Sequence, residues 1–290
     1  MIVVTGATGR LGSQIVEHLL ERIPAAELGV SVRDPARAGA LAERGVRVRA
    51  GDFTEPDTLR YALEGADQVL VVSAAIRGDG GRANRVAVDA AVAAGAERVL
   101  YTSHQAAAAD SLFAAQPVHA ATESHLAGLG VPFTALRNGF YAGSLGLFVG
   151  DALTTGRLAA PADGPVSWTA HADLAEAAAI ALADRSTLGG TGHGPTPPLT
   201  ASRALDLADV ARLLTEITGT EIVRVVVDDD DWRATAIAAG VPPGAADFTL
   251  GFHRAARRGE FDVTDPTLPR TLGREPLAAR VALEALVAGR

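Results

Sequence analysis

The chain has 290 residues, 48% hydrophobic and 21% charged, a balance that suits one sizeable core, or one core with a smaller satellite. A net charge of -8 argues against a non-specific nucleic-acid binder, and the absence of cysteine removes disulfides, thiolate metal sites and cysteine nucleophiles while fitting a reducing, cytoplasmic setting. All 26 basic residues are arginine, so any mechanism that needs a lysine ammonium is excluded too.

Ile2 to Thr5, directly after Met1, reads as a first strand, so no secretory signal is expected. Gly12 to Arg22 has helical spacing, Gly29 to Val32 and Val46 to Ala50 read as strands, and Asp57 to Glu64 as a helix. A strand follows at Gln68 to Ser73, a helix at Gly81 to Ala94 closed by Gly95, a strand at Arg98 to Thr102, a helix at Val118 to Leu129 and a strand at Phe133 to Arg137. This alternation predicts βαβ units around a doubly wound parallel sheet, a Rossmann-like α/β class. The Rossmann domain is assigned to residues 1–145.

After Asn138 the alternation loosens. Asp173 to Ala183 reads as a helix and Leu188 to Leu199 as a Gly- and Pro-rich stretch. Leu205 to Thr218, Asp231 to Ala239 and Leu277 to Ala288 have helical spacing, and Glu221 to Val227 reads as a strand. Residues 146–290 are therefore expected to be mainly a smaller α/β substrate-binding cap, with some elements completing the first domain. Leu174 to Leu182, interrupted by Glu176 and followed by Asp184, is too short to cross a membrane.

Between the first strand and its helix stands Thr5-Gly6-Ala7-Thr8-Gly9-Arg10-Leu11-Gly12. Glycines at positions 6, 9 and 12 permit a tight turn, close approach of a diphosphate to backbone amides, and close helix packing. Where the second strand ends, an NAD site commonly carries an acid for the ribose 2′-hydroxyl; here Arg33 can pair with a 2′-phosphate, favouring NADP(H). Asp34 could itself face the ribose, and Arg33, Asp34 and Arg37 could instead form a solvated turn. Asp52 could accept from an adenine amino group or stabilise a turn. Ser73-Ala74-Ala75 and Arg137-Asn138-Gly139-Phe140-Tyr141 follow strands at the edge where open sheets hold ligands.

The groups able to move protons are His119 at a helix start, Tyr141, and Ser103 with His104 at a strand end. Each has a bland alternative: a helix-terminal polar group, an aromatic packed on the cap, and strand-end hydrogen bonds. Seven scattered histidines show no ligand spacing, so no metal is expected. Asp228 to Asp231, before Trp232, is taken as a solvated helix cap.

These motifs, with Val32-Arg33-Asp34-Pro35, Tyr101-Thr102-Ser103 and His119-Ala120-Ala121-Thr122-Glu123, resemble the NmrA-like atypical short-chain dehydrogenases, closest to their NADPH:quinone oxidoreductase branch. The resemblance is dense to about residue 145 and thinner afterwards, around Asp173 and Thr271-Leu272-Gly273-Arg274-Glu275-Pro276. It implies phosphate contacts from Thr8, Gly9, Arg10 and Leu11, a 2′-phosphate contact from Arg33, and nicotinamide-side contacts from Ser73, Ala74, Ala75, Asn138, Phe140 and Tyr141, with Asn138 and Tyr141 bordering the substrate. Where related quinone reductases often have an arginine near the aspartate matching Asp173, this chain has His171.

Ordinary short-chain dehydrogenases use Tyr-x-x-x-Lys to protonate a carbonyl oxygen, which a lysine-free chain cannot do. The expected activity is NADPH-dependent reduction of a quinone, with an aromatic polyketide quinone suggested by the Ala-, Arg- and Gly-rich composition; Asn138, Tyr141 and His119 are the candidate catalytic residues. Alternatives are the reductase component of an oxygen-consuming hydroxylase and a non-catalytic NADP-binding redox sensor. Expected partners are a small aromatic substrate, a homodimer mate or a pathway protein, with neither nucleic acid nor membrane.

Overall fold

The computed structural model describes residues 1–74, 80–149, 151–188 and 193–289. The chain runs β1 Ile2–Thr5, α1 Arg10–Leu20, β2 Leu28–Val32, α2 Gly39–Glu43, β3 Arg47–Ala50, α3 Pro56–Leu63, β4 Gln68–Val71, α4 Gly80–Ala93, β5 Arg98–His104, α5 Ala115–Gly128 and β6 Phe133–Asn138. It continues through β7 Phe140–Tyr141, α6 Leu145–Val149, α7 Ala152–Thr155, β8 Arg157–Pro161, β9 Trp168–Thr169, α8 His171–Ala183 and β10 Gly194–Pro195. Last come α9 Leu207–Thr218, β11 Val223–Val227, α10 Asp229–Ala238, α11 Pro243–Arg257, α12 Thr267–Leu272 and α13 Ala279–Ala288.

Among the described residues seven strands pair in parallel in the order β10-β6-β5-β4-β1-β2-β3. The inner strands are apolar without alternation, Ile-Val-Val-Thr in β1 and Gln-Val-Leu-Val in β4, because helices cover both faces. Strand order reverses between β1 and β4, so the loops after Thr5 and Val71 diverge and open a crevice between them.

One face is closed by α1 and α8, whose Leu11, Ile15, Leu19, Leu174 and Leu182 share a core. Alanines 175, 177, 178, 179 and 181 are buried in α8, and their small side chains let the two helices approach closely. The opposite face is closed by α3, α4 and α5 through Leu59, Leu63, Ala87, Ala91 and Leu126. A third apolar cluster, with Phe113, Phe140, Trp168, Phe252 and Phe261 at its centre, draws mostly on residues after 139.

Several element limits differ from the sequence reading. Helix α1 starts at Arg10 rather than Gly12. Helix α5 starts at Ala115 because Pro117 sits in its first turn, where no amide donor is needed, so His119 lies in the second turn rather than at the start. Strand β4 stops at Val71, since the amides of Val72 and Ser73 donate to the hydroxyls of Thr5 (3.0 Å) and Thr102 (2.8 Å) instead. Strand β5 runs on to His104, held by β6 as far as Asn138.

Helix α11 and strand β8 have no counterpart in that reading. Pro242-Pro243-Gly244 resembles a turn, yet Pro243 occupies the helix's first turn; β8 gains its identity only by pairing with β11. The stretch from Leu188 to Leu199 lies partly outside the described residues and contributes β10. No helix among the described residues is long and apolar enough to cross a membrane.

Candidate functional site

The site grows from the turn after β1. Gly6 has φ +61°, and the amide of Gly9 donates to its carbonyl at 2.9 Å. A Cβ on Gly12 would stand 2.3 Å from the Gly6 oxygen and 2.8 Å from its carbonyl carbon, so the helix can lie this close only through a glycine. Gly9 caps α1 without a side-chain hydrogen bond and is exposed, as are Gly6 and Arg10, while Thr8 is half-buried. Leu11 and Gly12 are buried, so only backbone is available there. The result is an open helix N-terminus with amide donors free to meet an anion.

At the end of β2, Arg33 is exposed and makes no ion pair among the described residues. Asp34 Oδ1 accepts from the Ala36 amide at 3.0 Å, capping the turn Pro35–Ala38. After β3, Asp52 Oδ1 accepts from the amide and hydroxyl of Thr54, both at 2.8 Å. Those bonds, with Arg33 nearby as a smaller influence, hold the Asp52 carboxyl below its usual range. Asp52 thus stabilises its turn, with Oδ2 left without a hydrogen bond among the described residues.

On the other side of the crevice, the Ala74 amide donates to Asn84 Oδ1 at 2.8 Å, and Thr102 Oγ1 donates to Ser73 Oγ at 3.1 Å. Ala75 lies outside the described residues. Asn138 is 2% exposed, and its Oδ1 has no hydrogen-bond partner among the described residues. A buried amide oxygen in that state costs about 1–3 kcal/mol unless a ligand donor meets it. At Gly139 a Cβ would be 2.1 Å from Thr169 Oγ1, so glycine is required where the chain leaves the sheet for the second cluster.

The side chains of Phe140 and Tyr141 diverge. Phe140 packs on Phe252 (4.9 Å between centroids) and Trp168 (5.2 Å), and its backbone pairs with Trp168 in the β7–β9 ladder. Tyr141 stacks on His171 at 4.4 Å and 29°. Burial pushes the Tyr141 phenol up, with the Asn138 amide working the other way.

His119 is 6% exposed, and its Nδ1 is 2.8 Å from Tyr101 Oη, which accepts from Asn84 Nδ2 at 3.1 Å. A continuous hydrogen-bonded chain therefore runs from the Ala74 amide through Asn84 and Tyr101 to His119. Burial pushes the Tyr101 hydroxyl well above its usual value, so its proton stays in place. His104 Nδ1 is met by Gln116 Nε2 at 2.8 Å and the Ala106 amide at 3.3 Å. Ser103 donates to Glu123 at 2.6 Å, and Arg137 grips the same carboxylate at 3.0 and 2.7 Å, which ties β5 and β6 to α5.

Burial lowers His119, His171 and His253 to about 4, aided by Arg10 beside His171 and by Arg224 and Arg257 near His253; His104 is driven well below its usual value by burial and its His119 neighbour. In the unfolded chain these imidazoles titrate near ~6.5. As pH falls from there towards 4, the unfolded state takes up protons that the folded state refuses, so stability is lost across that window. For His119 alone the linkage reaches roughly 3 kcal/mol at the acid end. Calorimetric Tm is expected to drop steeply between those limits, and His253→Phe to flatten the fall; a Tm independent of pH there would contradict the assignment.

Asn84 did not stand out in the sequence, and Tyr101 and Arg274 stood there only as parts of motifs, with no role of their own. Nothing in the spacing links Arg274 to Asp173, yet its Nη1 donates to the fully buried Asp173 at 2.8 Å, and the Leu277 amide adds a second bond at 2.6 Å. Asp228 accepts from the amides of Asp230 and Asp231, as a cap should, but Asp229 is not merely solvated: Arg254 and Arg257 both bond to it. No cluster of three or more metal-ligating groups occurs among the described residues.

Comparison with known proteins adds the family. Residues 6–185 match the family model described as NAD(P)H-binding. The chain is 33% identical over 275 residues to quinone oxidoreductase 2 of Escherichia coli (strain K12), covering 94% of each protein. It is 30% identical over 277 residues to an NAD(P)H azoreductase of Xenophilus azovorans, covering 94% of this chain and 93% of that one. It is 29% identical over 293 residues to the NmrA-like family domain-containing oxidoreductase flvB of Aspergillus flavus, covering 98% and 94%. A structure of Citrobacter sp. triphenylmethane reductase complexed with NADP(H) superposes with a TM-score of 0.88 at 28% identity, covering 98% and 99%.

Proposed function

The chain belongs to the NAD(P)H-binding family, in its NmrA-like quinone-reductase branch, and on that premise we propose that this NAD(P)H-dependent oxidoreductase passes hydride from NADPH to electron-poor conjugated acceptors, quinones first among them. The observation that carries the reading is a glycine cradle facing a crevice that holds an unpartnered amide oxygen and a phenol without an activating ammonium.

Each group has a role its surroundings support. The amides at the start of α1 hold the diphosphate, and Arg33 holds the 2′-phosphate. Asn138 Oδ1 accepts from the carboxamide of the nicotinamide, which satisfies the orphaned atom and orients the ring. Tyr141, fixed by His171, walls the acceptor site. The bound dinucleotide supplies the hydride.

The choice of acceptor follows from proton supply. Reducing a simple ketone leaves a strongly basic alkoxide that needs an acid at once, and a buried phenol with a raised pKa, in a chain without lysine, is a poor one. A quinone yields a stabilised aromatic anion, and a triarylmethyl cation yields a neutral product, so positioning dominates for both. Relatives named for quinone and triphenylmethane reduction support this choice of acceptor.

Anaerobic oxidation of NADPH should be followed with benzo-, naphtho- and anthraquinones, a triarylmethane dye and a simple ketone. Quinones and dye are expected to turn over and the ketone not. Turnover of the ketone at the quinone rate, or no turnover by any acceptor despite NADPH binding, would overturn the reading. Oxygen uptake together with a hydroxylated product in the aerobic anthraquinone reaction would add the hydroxylase role.

A further inference from the structure

Outside the crevice, a cleft of about 470 Å³ opens where the start of α1, the turn after Tyr141, the start of α8 and the helix α13 meet. Gly6, Gly9, Arg33, Ser73, Ala74 and Asn138 do not line it, while Arg10, from the turn that holds the diphosphate, turns its side chain into it, so the cleft adjoins the dinucleotide crevice without coinciding with it. Its apolar wall is built from small residues such as Gly146, Ala282 and Ala285, with Val281 and Leu286. Arg10, Gln14 and His171 are its polar groups.

Arg10 sits here because of a neighbouring glycine. A Cβ on Gly143 would meet Arg10 Nη1 at 2.6 Å and His171 Cε1 at 3.3 Å, so only glycine lets the guanidinium and imidazole lie against that turn. Among the described residues Arg10 makes no ion pair. Gln14 is one turn further along the same face of α1, which gathers the polar groups at one end and leaves the other apolar, where Gly146 lies against Leu286.

We propose that this cleft binds a small organic anion with an aromatic or aliphatic body, its carboxylate or sulfonate on Arg10 and Gln14 and its body along α13. An unpaired guanidinium offers paired, charge-assisted donors to a planar or trigonal anion. The cleft falls in the size range of small-molecule sites. An occupant would lie behind the His171–Tyr141 stack, at the back of the acceptor wall.

The test titrates naphthalenesulfonate and naphthoate into the full chain by calorimetry, with and without saturating NADPH, using naphthylmethanol as the neutral control. Both anions are expected to bind once per chain in either condition, the alcohol at least about tenfold more weakly, consistent with one charge-assisted contact. Ala285→Phe, at an exposed position, and Ala282→Phe should each weaken the anions by about tenfold or more and leave quinone turnover within about twofold. Equal binding of anion and alcohol, full competition with NADPH, or indifference to both substitutions would overturn the proposal. Failure of NADPH to bind would instead sink the reductase reading and leave the cleft to be judged on the anions alone.

Discussion

Gly12→Ala is expected to weaken NADPH binding by roughly a hundredfold or more and to lower stability by about 1–3 kcal/mol, measured by calorimetry and thermal unfolding. The new methyl would lie 2.3 Å from the Gly6 oxygen, 2.8 Å from its carbonyl carbon and 3.1 Å from Ala7 Cα. All three are backbone atoms, so no side chain can swing aside and the turn itself must move. Amides re-aimed by that shift lose charge-assisted bonds to the diphosphate, each contributing about 1.5–3 kcal/mol, and two such losses already exceed a hundredfold. Gly39→Ala is the control: nothing lies within 4 Å of its Cβ position and its φ of -54° suits alanine, so both measurements should hold or improve slightly. Unaltered NADPH affinity in Gly12→Ala would show that the turn after β1 is not where the dinucleotide rests.

Arg33→Gln is expected to cost about 10- to 100-fold in NADPH affinity and to leave NADH unchanged, converting a phosphate-selective site into an indifferent one. The prediction rests on Arg33 being exposed with no ion pair, whereas Asp34 is occupied in capping its turn and Asp52 in holding Thr54. Binding of both coenzymes should be measured at more than one salt concentration. The difference between them must shrink as salt rises, since it is a charge contact at the surface. Equal losses for NADPH and NADH would mean that Arg33 acts on the turn and not on the 2′-phosphate.

The fold class was legible because its signals are local. Val-rich β1, the glycines after it and the amphipathic α1 stand in sequence order, and strand, turn and helix follow from residue-by-residue periodicity and backbone freedom. The same locality explains the misses. The helical spacing from Val118 missed the first turn of α5, which opens at Ala115 with Pro117 inside it, and α11 opens on a proline; β8 is too short to announce itself without β11. Helix α11 supplies Phe252 to the third apolar cluster, with His253 against its ring, so the aromatic centre of the later half was the hardest part to read.

By itself, the sequence determined a parallel sheet, a glycine turn opening the first helix, an arginine where the second strand ends, and chemistry without lysine. Tertiary structure decided what no spacing encodes: that Phe140 turns into an aromatic core while Tyr141 lies on His171, that Arg10 crosses to Gly143, and that Asn138 keeps a buried oxygen without a partner among the described residues. Periodicity and turn chemistry act over a few neighbouring residues. The surroundings of a buried polar group are set by side chains scores of positions away, which meet only once the sheet has brought them together.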